Sequence, residues 1–339
     1  MNLSPSHSRR ALAGASSRTA GFTLIELMIS VTIGLGILAG LVGVLSSNSA
    51  NSRSNDKTSE LLTNGRYGLN SIKAELREAG FRGYTWADPD VIAPASLATP
   101  GNECLQAGAT AGAFVANIRQ GVWGVDNAAA TPNPFAANCI PAERFAAGSD
   151  ILVMRRVAPF PATALVANRV YFQSAYERGQ VFRGAVAPNF AGVPLASFEV
   201  QEFVYYVSPV TNVAAPENPA VPSLRRVTLN AAGNMVDELV VSGIEHLQVQ
   251  YGYLATNGTV RYLNAGTADP VFDLSADSFN AAASGWDNVN AVRIWLLARN
   301  TLAEPGYLNN NRYTMAGQDF DKNDSFRRQM FSTVVQLRN

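Results

Sequence analysis

Residues 21–45 read GFTLIELMISVTIGLGILAGLVGVL, and Glu26 is the one charged residue in this stretch. A helix rises about 1.5 Å per residue, so residues 22–45 would span roughly 36 Å, more than a hydrocarbon core of about 30 Å. An ordinary secretory signal has a shorter apolar region followed by a small-residue cleavage site, and residues 46–50 offer only a poor one. The stretch therefore predicts a membrane-spanning helix over 22–45, with a plain single-pass anchor as the simplest alternative.

Glu26 lies inside the apolar run, where a carboxylate costs about 2.5 to 3.5 kcal/mol on membrane-insertion scales. This cost predicts a partner of opposite charge. If the chain were cut between Gly21 and Phe22, the new α-amino group would lie about 6 Å from Glu26 along the helix axis. The amine could pair with its own Glu26, which the helix dipole also favours, or with Glu26 of a neighbouring helix. The second pairing predicts polymerisation.

The eight residues GFTLIELM at positions 21–28 resemble the processing signal of type IV prepilins and of the related type II secretion pseudopilins. In that family a prepilin peptidase cuts after the glycine on the cytoplasmic side and methylates the new N-terminal phenylalanine. The glutamate neutralises the amine of an adjoining subunit. The resemblance thus implies cleavage at Gly21, methylation at Phe22 and subunit assembly through Glu26.

Residues 1–21 are then a leader peptide that is removed. The leader carries Arg9, Arg10 and Arg18 and no acid, so the positive-inside rule places it in the cytoplasm and the rest of the chain in the periplasm. The full sequence has 26 basic and 26 acidic side chains, and the three leader arginines leave 23 against 26. This mild acidity does not predict DNA as a partner.

Small residues recur in the apolar run. Gly36 and Gly40 have the G-x-x-x-G spacing that lets two membrane helices approach closely. Glycine is also frequent in membrane helices in general, so helix packing and simple composition both remain as explanations.

An amphipathic pattern continues the helix beyond the membrane. The apolar stripe consists of Leu62, Leu69, Ile72, Leu76 and Ala79. Gly80 follows Arg77 closely and is a typical helix end. The sequence predicts a helix over 22–80 whose second half lies against a sheet.

Residues 84–148 are rich in Ala, Pro, Gly and Asn and predict a looped insertion. It contains Cys104 and Cys139, the two cysteines of the chain. An even cysteine count in an exported segment favours a disulfide, with two buried thiols as the alternative. Closing this loop would stabilise the fold by roughly 4 kcal/mol in the chain-entropy model.

After Gly148 the apolar residues alternate as in strands with one buried face. The predicted strands are Asp150–Val157, Phe198–Val207, Leu224–Leu229, Val236–Val241, Ile244–Leu254, 292–298 and 331–337. Residues 208–222 and 300–324 are predicted loops. The expected fold class is α+β and pilin-like: a long N-terminal helix, membrane-spanning in its first half, packed on an antiparallel β-rich head over 81–339.

Several segments resemble the minor pilins of the PilW family. They are residues 65–81, Ser149–Leu152, Glu238–Gly252, Val289–Ile294 and Arg327–Asn339. The resemblance implies a minor pilin in the complex that primes or caps a type IV pilus, at the inner membrane and then at the pilus tip. It also implies other minor pilins, the major pilin, a tip-associated adhesin and the prepilin peptidase as partners. Two alternatives are a minor pseudopilin of type II secretion and a membrane-tethered adhesin or ligand-binding head.

Motifs of catalysis are missing from the sequence, and neither an enzyme nor a cofactor is expected. His246 falls on the polar side of a predicted strand, as a solvent-facing or hydrogen-bonded residue. Asp319, Asp321 and Asn323 place oxygen ligands at alternate positions, as calcium prefers, but the EF-hand pattern fails at the following positions. A solvated loop is the expected structure there, with a calcium site built in another way as the alternative.

Three arginine pairs occur beside strands, at 155–156, 225–226 and 327–328. They are expected as solvated or salt-bridged edge residues, with binding of an acidic partner or of DNA as the alternative.

Overall fold

The computed structural model describes residues 21–86, 90–92, 100–105, 109–132, 134–135, 139–275 and 285–338. It contains two compact units, residues 1–56 and residues 57–339. The boundary falls inside helix α1, Leu24–Leu76. Most of the predicted leader, residues 1–20, lies outside the described residues.

The described part of the first unit consists of α1 from Leu24 to Asp56 and the three residues before the helix. The most apolar window of the helix has a mean hydropathy of 2.3, and none of it is buried. Within the described residues, α1 is the one helix long and apolar enough to cross a membrane. The prediction of a long N-terminal helix with an apolar first half is confirmed.

The second unit is rich in β-structure. Its described strands, in chain order, are β1 Asp90–Ile92, β2 Val122–Ala128, β3 Ser149–Val157, β4 Val170–Ser174, β5 Arg178–Arg183, β6 Ala196–Ser208, β7 Ser223–Leu229, β8 Met235–Ser242, β9 Ile244–Leu254, β10 Val260–Leu263, β11 Ala291–Arg299, β12 Arg312–Met315, β13 Gln318–Asp321 and β14 Arg328–Gln336. A short helix α2, Ala113–Ala116, and two 3-10 turns, Ala142–Arg144 and Gly285–Asn288, connect them.

The larger sheet has eight strands and is organised by β6. The first residues of β6 pair with β4, and its second half pairs with β3 on one edge and β7 on the other. Strands β5 and β1 extend the sheet beyond β4, β2 lies outside β3, and β8 lies outside β7. The described pairings are antiparallel except that of β1 with β5. A strand of 13 residues is long enough to serve two groups of partners at once.

The smaller sheet has four strands in the order β10, β9, β11, β14, all antiparallel. The alternation predicted for Ile244–Leu254 is confirmed, because Leu247, Val249, Tyr251 and Tyr253 are buried. A two-stranded hairpin of β12 and β13 lies within the predicted loop 300–324. Its strands have four residues each, too short for a clear apolar alternation in the sequence.

The second half of α1 packs on both sheets. Its buried residues recur every three or four positions, and they are Leu61, Gly65, Gly68, Ile72 and Leu76; Ala79 continues the pattern in the turn after the helix. A Cβ at Gly68 would lie 3.2 to 3.4 Å from Val241, Leu224 and Leu296. The predicted stripe was right at its C-terminal end, but two glycines, and not Leu62 and Leu69, lie at the centre of the contact. Leu69 packs at its margin.

Hydrogen bonds from side chains join the two sheets. At the start of β3, the Ser149 hydroxyl accepts from the N–H of Leu247 at 2.9 Å, and Asp150 accepts from the N–H of Val249 at 2.7 Å. Both donors belong to β9 and point away from β11. These two side chains therefore provide hydrogen-bond acceptors for N–H groups at the edge of β9, where the two sheets meet. Burial raises the pKa of the Asp150 carboxyl well above its usual range.

The segment 84–148 contains more regular structure than its composition predicted. Strand β2 pairs with β3 over most of its length, and Phe114, Ile118 and Phe135 are fully buried. Cys104 and Cys139 form a disulfide, with their Cα atoms 5.0 Å apart, which confirms the predicted bond. The described part of this segment is thus built onto the edge of the larger sheet.

Replacing Gly65 by Leu should lower the free energy of unfolding by about 1 to 3 kcal/mol, the usual cost of overpacking. A Cβ at this position would lie 2.1 Å from the ring of Phe331. Thr63→Leu, on the exposed side of the same turn, should change stability by less than about 0.5 kcal/mol. Urea unfolding of the full chain in detergent measures both, and equal stability of the two variants would contradict the packing described.

Candidate functional site: the helix N-terminus and the charged groups of the head

A capping box begins helix α1. The Thr23 hydroxyl accepts from the N–H of Glu26 at 3.3 Å, while the Thr23 N–H and hydroxyl donate to Glu26 Oε2 at 3.4 and 3.3 Å. Residue Thr23 is the N-cap and Glu26 the third helical residue, the spacing of a reciprocal cap. Glu26 therefore contacts the start of its own helix, a role that its position in an apolar run did not reveal.

Thr23 is the functional candidate that the sequence analysis missed. The pattern Ser/Thr-x-x-Glu before an apolar run is a signal of a helix start that sequence reading could have used. The cap fixes the helix start at Leu24, so Gly21 and Phe22 precede the helix in non-helical conformations. The predicted cleavage point therefore lies on an exposed, non-helical segment, with the Phe22 side chain 83% exposed.

Polar side chains within the apolar run are satisfied by the helix itself. The Ser30 hydroxyl donates to the carbonyl of Glu26 at 2.7 Å, and the Thr32 hydroxyl donates to the carbonyl of Ile29 at 2.9 Å. Gly36 and Gly40 lie further along, and a Cβ added at either would have no described atom within 4 Å apart from its chain neighbours and the adjacent helix backbone. The surface around these glycines is thus open to another helix.

A buried ion pair lies in the head between β3 and β6. Arg155 Nε donates to Glu202 Oε1 at 2.7 Å, and both side chains are fully buried. The guanidinium also lies over the ring of Phe114, at 4.4 Å from its centroid. Burial raises the pKa of Glu202 to about 7, against the opposing effect of Arg155. Through Phe114, the ion pair contacts the 84–148 segment where this segment packs on the larger sheet.

Glu103, next to the disulfide, organises the turn that holds Phe114. Its carboxylate is almost fully buried and accepts from the N–H groups of Gly112, Phe114 and Val115 at 2.8, 3.2 and 3.3 Å. Burial raises the pKa of Glu103 in spite of these bonds. The carboxylate serves local structure here, since its oxygens already accept from the backbone.

The three arginine pairs are bound to carboxylates, which confirms the predicted salt bridges. The predicted edge position is wrong for Arg155, which is fully buried on β3 between β2 and β6. Besides Arg155, the contacts are Arg156 with Glu75 and Glu78, Arg225 with Asp237, Arg226 with Glu238, Arg327 with Glu304, and Arg328 with Glu245 and Asp324. The positive charges of these arginines are thus neutralised by carboxylates within the head. This arrangement does not present a basic surface of paired arginines to an acidic partner.

The predicted calcium ligands lie on the β12–β13 hairpin and on the residues that follow it. Arg312 donates to both carboxylate oxygens of Asp321, at 2.6 and 3.0 Å, and lies 3.4 Å from Asp319. Asn323 is exposed beyond the hairpin. Among the described residues, no group of three or more His, Cys, Asp and Glu could hold a metal ion. The arginine already neutralises two of the predicted ligands, and the calcium site stays a prediction.

His246 is covered by the same hairpin. The Phe320 ring lies 4.4 Å from the imidazole, centroid to centroid, and Lys322 Nζ lies 3.1 Å from His246 Nε2. Burial, and then the charge of Lys322, lower the pKa of His246 to about 4. The histidine is therefore neutral at physiological pH and can accept from Lys322. It is a hydrogen-bonded residue, one of the two expectations from its place on β9.

Comparison with known families matches two parts of the chain. Residues 204–339 match the family described as Type IV Pilus-assembly protein W, PilW. Residues 16–42 match the prokaryotic N-terminal methylation motif. The predicted resemblance is confirmed by both matches. The first covers part of β6 and all of β7 to β14, and the second covers Gly21, Phe22, Glu26 and the two glycines of the apolar helix.

Comparison with whole proteins adds little to these matches. A search of curated proteins finds no match. Among solved structures, a type IV-like pilin from Thermus thermophilus is similar at 14% identity over 84% of this chain and 96% of that chain, with a TM-score of 0.31. A TM-score this low supports no argument about the fold, which is therefore inferred from the helices and strands of this chain alone.

The two family matches support a type IV pilus minor pilin. They point to a structural protein and not to an enzyme. The methylation motif and the apolar helix together fit a pilin anchored in a membrane. The family that matches residues 204–339 is described by a role in pilus assembly, which points to contact with other pilus components.

Replacing His246 by Gln should flatten part of the pH dependence of stability. The pKa of His246 is about 4 in the folded chain and about 6.5 when unfolded. Above pH 6.5 neither state is protonated; as the pH falls from 6.5 towards 4, the unfolded state gains a proton that the folded state does not bind. When the pH is lowered from 6.5 to 5, the free energy of unfolding of the wild type should therefore fall by about 1 to 2 kcal/mol more than that of His246→Gln. Urea unfolding at both pH values tests this, and parallel losses would contradict the buried neutral histidine.

Proposed function

We propose that this chain is a minor pilin that acts in type IV pilus assembly, within the complex that primes or caps the filament. The observation that carries the proposal is the combination, in one chain, of the methylation motif at residues 16–42 and the PilW match at residues 204–339. The methylation motif supports processing of the chain and its assembly into a filament. The PilW segment directs the proposal towards pilus assembly, in preference to a secretion pseudopilin.

Assembly begins with cleavage after Gly21, which frees the amine of Phe22. The capping box supports this step because both of its members, Thr23 and Glu26, lie after the cut and survive it. The bonds to Glu26 are long, at 3.3 and 3.4 Å, and both use Oε2. Within the described residues no hydrogen bond to Oε1 is seen, so the carboxylate retains an acceptor for the amine of a neighbouring subunit.

The apolar helix then packs with the helices of other subunits. Its first half has exposed side chains throughout the described range, so it must be covered by lipid before assembly and by lipid or protein afterwards. Gly36 and Gly40 present a smooth surface with no neighbouring atom within 4 Å. We assign this surface to close helix contact in the filament.

The proposed topology follows from the leader. Its three arginines keep the N-terminus in the cytoplasm, so the head lies in the periplasm before assembly and at the pilus, at its tip, afterwards. The proposed partners are the prepilin peptidase, other minor pilins, the major pilin and a tip-associated adhesin. Deleting the gene should remove pili and twitching motility; a block in enzyme secretion with normal pili would instead indicate a type II secretion pseudopilin.

Prepilin peptidase should determine the N-terminus of the protein. In membranes from cells with the peptidase, intact mass and N-terminal sequencing should show a chain that starts at methylated Phe22. In cells without it, the chain should still start at Met1. A chain that starts at Met1 in both strains, or one cut after the apolar run, would place the protein outside the pilin pathway.

Replacing Glu26 by Gln should separate the two roles of this residue. Glutamine can replace glutamate in the capping box, so the helix start is kept while the charge is lost. We expect normal processing of the variant. The amount of the variant recovered with sheared pili should fall at least tenfold, which corresponds to a loss of about 1.4 kcal/mol in the free energy of assembly.

Thr23→Ala is the matched control for this variant. It removes the cap, at a cost of about 1 kcal/mol, and keeps the charge of Glu26. Its recovery with pili should stay well above that of Glu26→Gln. Equal recovery of Glu26→Gln and wild type would exclude charge neutralisation as the role of Glu26.

A further inference from the structure

Strand β14 forms one edge of the four-stranded sheet. The Leu337 N–H donates to the Asn290 carbonyl at 2.9 Å, and the Arg327 carbonyl accepts from the Asn300 N–H at 3.0 Å, so odd-numbered residues of β14 face β11. Successive residues alternate, and the even-numbered ones direct their N–H and C=O groups to the other edge. These residues are Arg328, Met330, Ser332, Val334 and Gln336. Among the described residues, no strand pairs with this edge.

The edge lacks the features that usually prevent strands from pairing. Residues 329–337 read QMFSTVVQL, without charge, proline or glycine. The pairing of β14 with β11 runs over nine residues without a bulge, so the edge is regular. Natural edges are normally short, charged, bulged or covered. Apart from the buried Arg328, the even-numbered side chains are exposed, Met330 by 37% and Val334 by 49%.

A basic groove lies at the C-terminal end of this edge. It is formed by Lys73 of α1, by Arg77 directly after this helix and by residues 334–338, including Arg338, and has a volume of about 510 Å³. No acidic residue lines it. None of its three cations has an ion-pair partner among the described residues, in contrast to the arginine pairs of the head. The groove therefore offers positive charge beside unpaired backbone groups.

We propose that an extended segment of a partner subunit adds to β14 as a fifth strand, with carboxylates at one end that bind Lys73, Arg77 and Arg338. Backbone groups of β14 would supply affinity, and the basic groove would set the register and direction of the added strand. This inference does not rest on the proposed function, because the edge and the groove belong to the head alone.

Charge disfavours a second copy of the chain as the occupant. Antiparallel pairing of two β14 strands would bring Arg338 of each copy towards Arg328 of the other. Arg328 is already bound to Glu245 and Asp324, so neither carboxylate is available to the incoming arginine. Parallel pairing would bring the two basic grooves together, which is unfavourable for like charges.

A synthetic peptide can test the proposal on the full chain in detergent micelles. The probe is a repeat of threonine and valine with glutamates at one end and a neutral fluorophore at the other. Fluorescence anisotropy should show saturable binding that weakens with added salt. Binding should disappear when alternate peptide amides are N-methylated, and it should slow amide exchange in residues 328–338.

The decisive variant is Val334→Pro. The Val334 N–H points to the open edge, so proline there removes a donor for the added strand without breaking a bond to β11. We expect at least a tenfold loss of peptide affinity. Val334→Thr keeps the N–H and should bind as wild type. Thermal unfolding of both variants shows whether the head is intact, and Lys73→Gln with Arg77→Gln should reduce the salt dependence of binding.

Four outcomes would overturn the proposal. Binding of the N-methylated peptide as tight as that of the parent peptide would indicate a contact through charge alone. Equal binding of a peptide with lysines in place of the glutamates would remove the role of the basic groove. Self-association of the chain that Val334→Pro abolishes would identify a second copy as the occupant. Absence of saturable binding to wild type would show that the edge does not accept a strand.

Discussion

The close contact between the second half of helix α1 and the two sheets is the constraint on which the head depends. The helix can contact Leu224 and Val241 of the larger sheet and Leu296 and Phe331 of the smaller one because Gly65 and Gly68 have no side chain. A larger residue would lift the helix from one sheet or both. Leu61, Ile72 and Leu76 then fill the core on either side of the glycines. The helix thus acts as a common support for two sheets that are otherwise joined mainly through β9.

Buried polar groups decide how the parts of the head fit together. Asp150 and Ser149 satisfy the edge of β9 with side chains, where a backbone partner would have made one continuous sheet. Arg155 and Glu202 place a fully buried ion pair beneath the disulfide-linked segment. Such groups are costly to leave unpaired, so they exclude alternative packings of apolar layers that would otherwise be similar in energy.

Two sets of residues are available for the proposed contacts with other proteins, one on the head and one in the N-terminal unit. Most arginines beside the strands are bound to carboxylates, while Lys73, Arg77 and Arg338 line a groove without an acid. The β14 edge and this groove lie on the head. Glu26 and the glycines of the apolar helix lie in the N-terminal unit. Processing and helix packing can therefore be altered by mutation in one unit without changing the head, which makes the two sets of contacts separable by experiment.

The sequence by itself determined the long apolar helix, the N-terminal methylation motif, the disulfide and several of the longer strands, such as β6, β9, β11 and β14. Each of these is a local pattern, or a count of residues, that depends on few distant contacts. The sequence did not reveal the hairpin β12–β13, the strands β4 and β5, or the place of β2 in the main sheet, because short strands carry too few residues for a clear period.

Only the tertiary structure decided which side chains meet. The centre of the helix contact fell on Gly65 and Gly68, since the closest approach of two elements favours the smallest residue and not the most apolar one. Asp319 and Asp321 were paired with Arg312 by the hairpin register, and His246 was covered by Phe320. The open edge of β14 also depends on strand order, which nonlocal contacts determine. A linear pattern cannot specify that order, because the same alternation suits an edge strand and a central one.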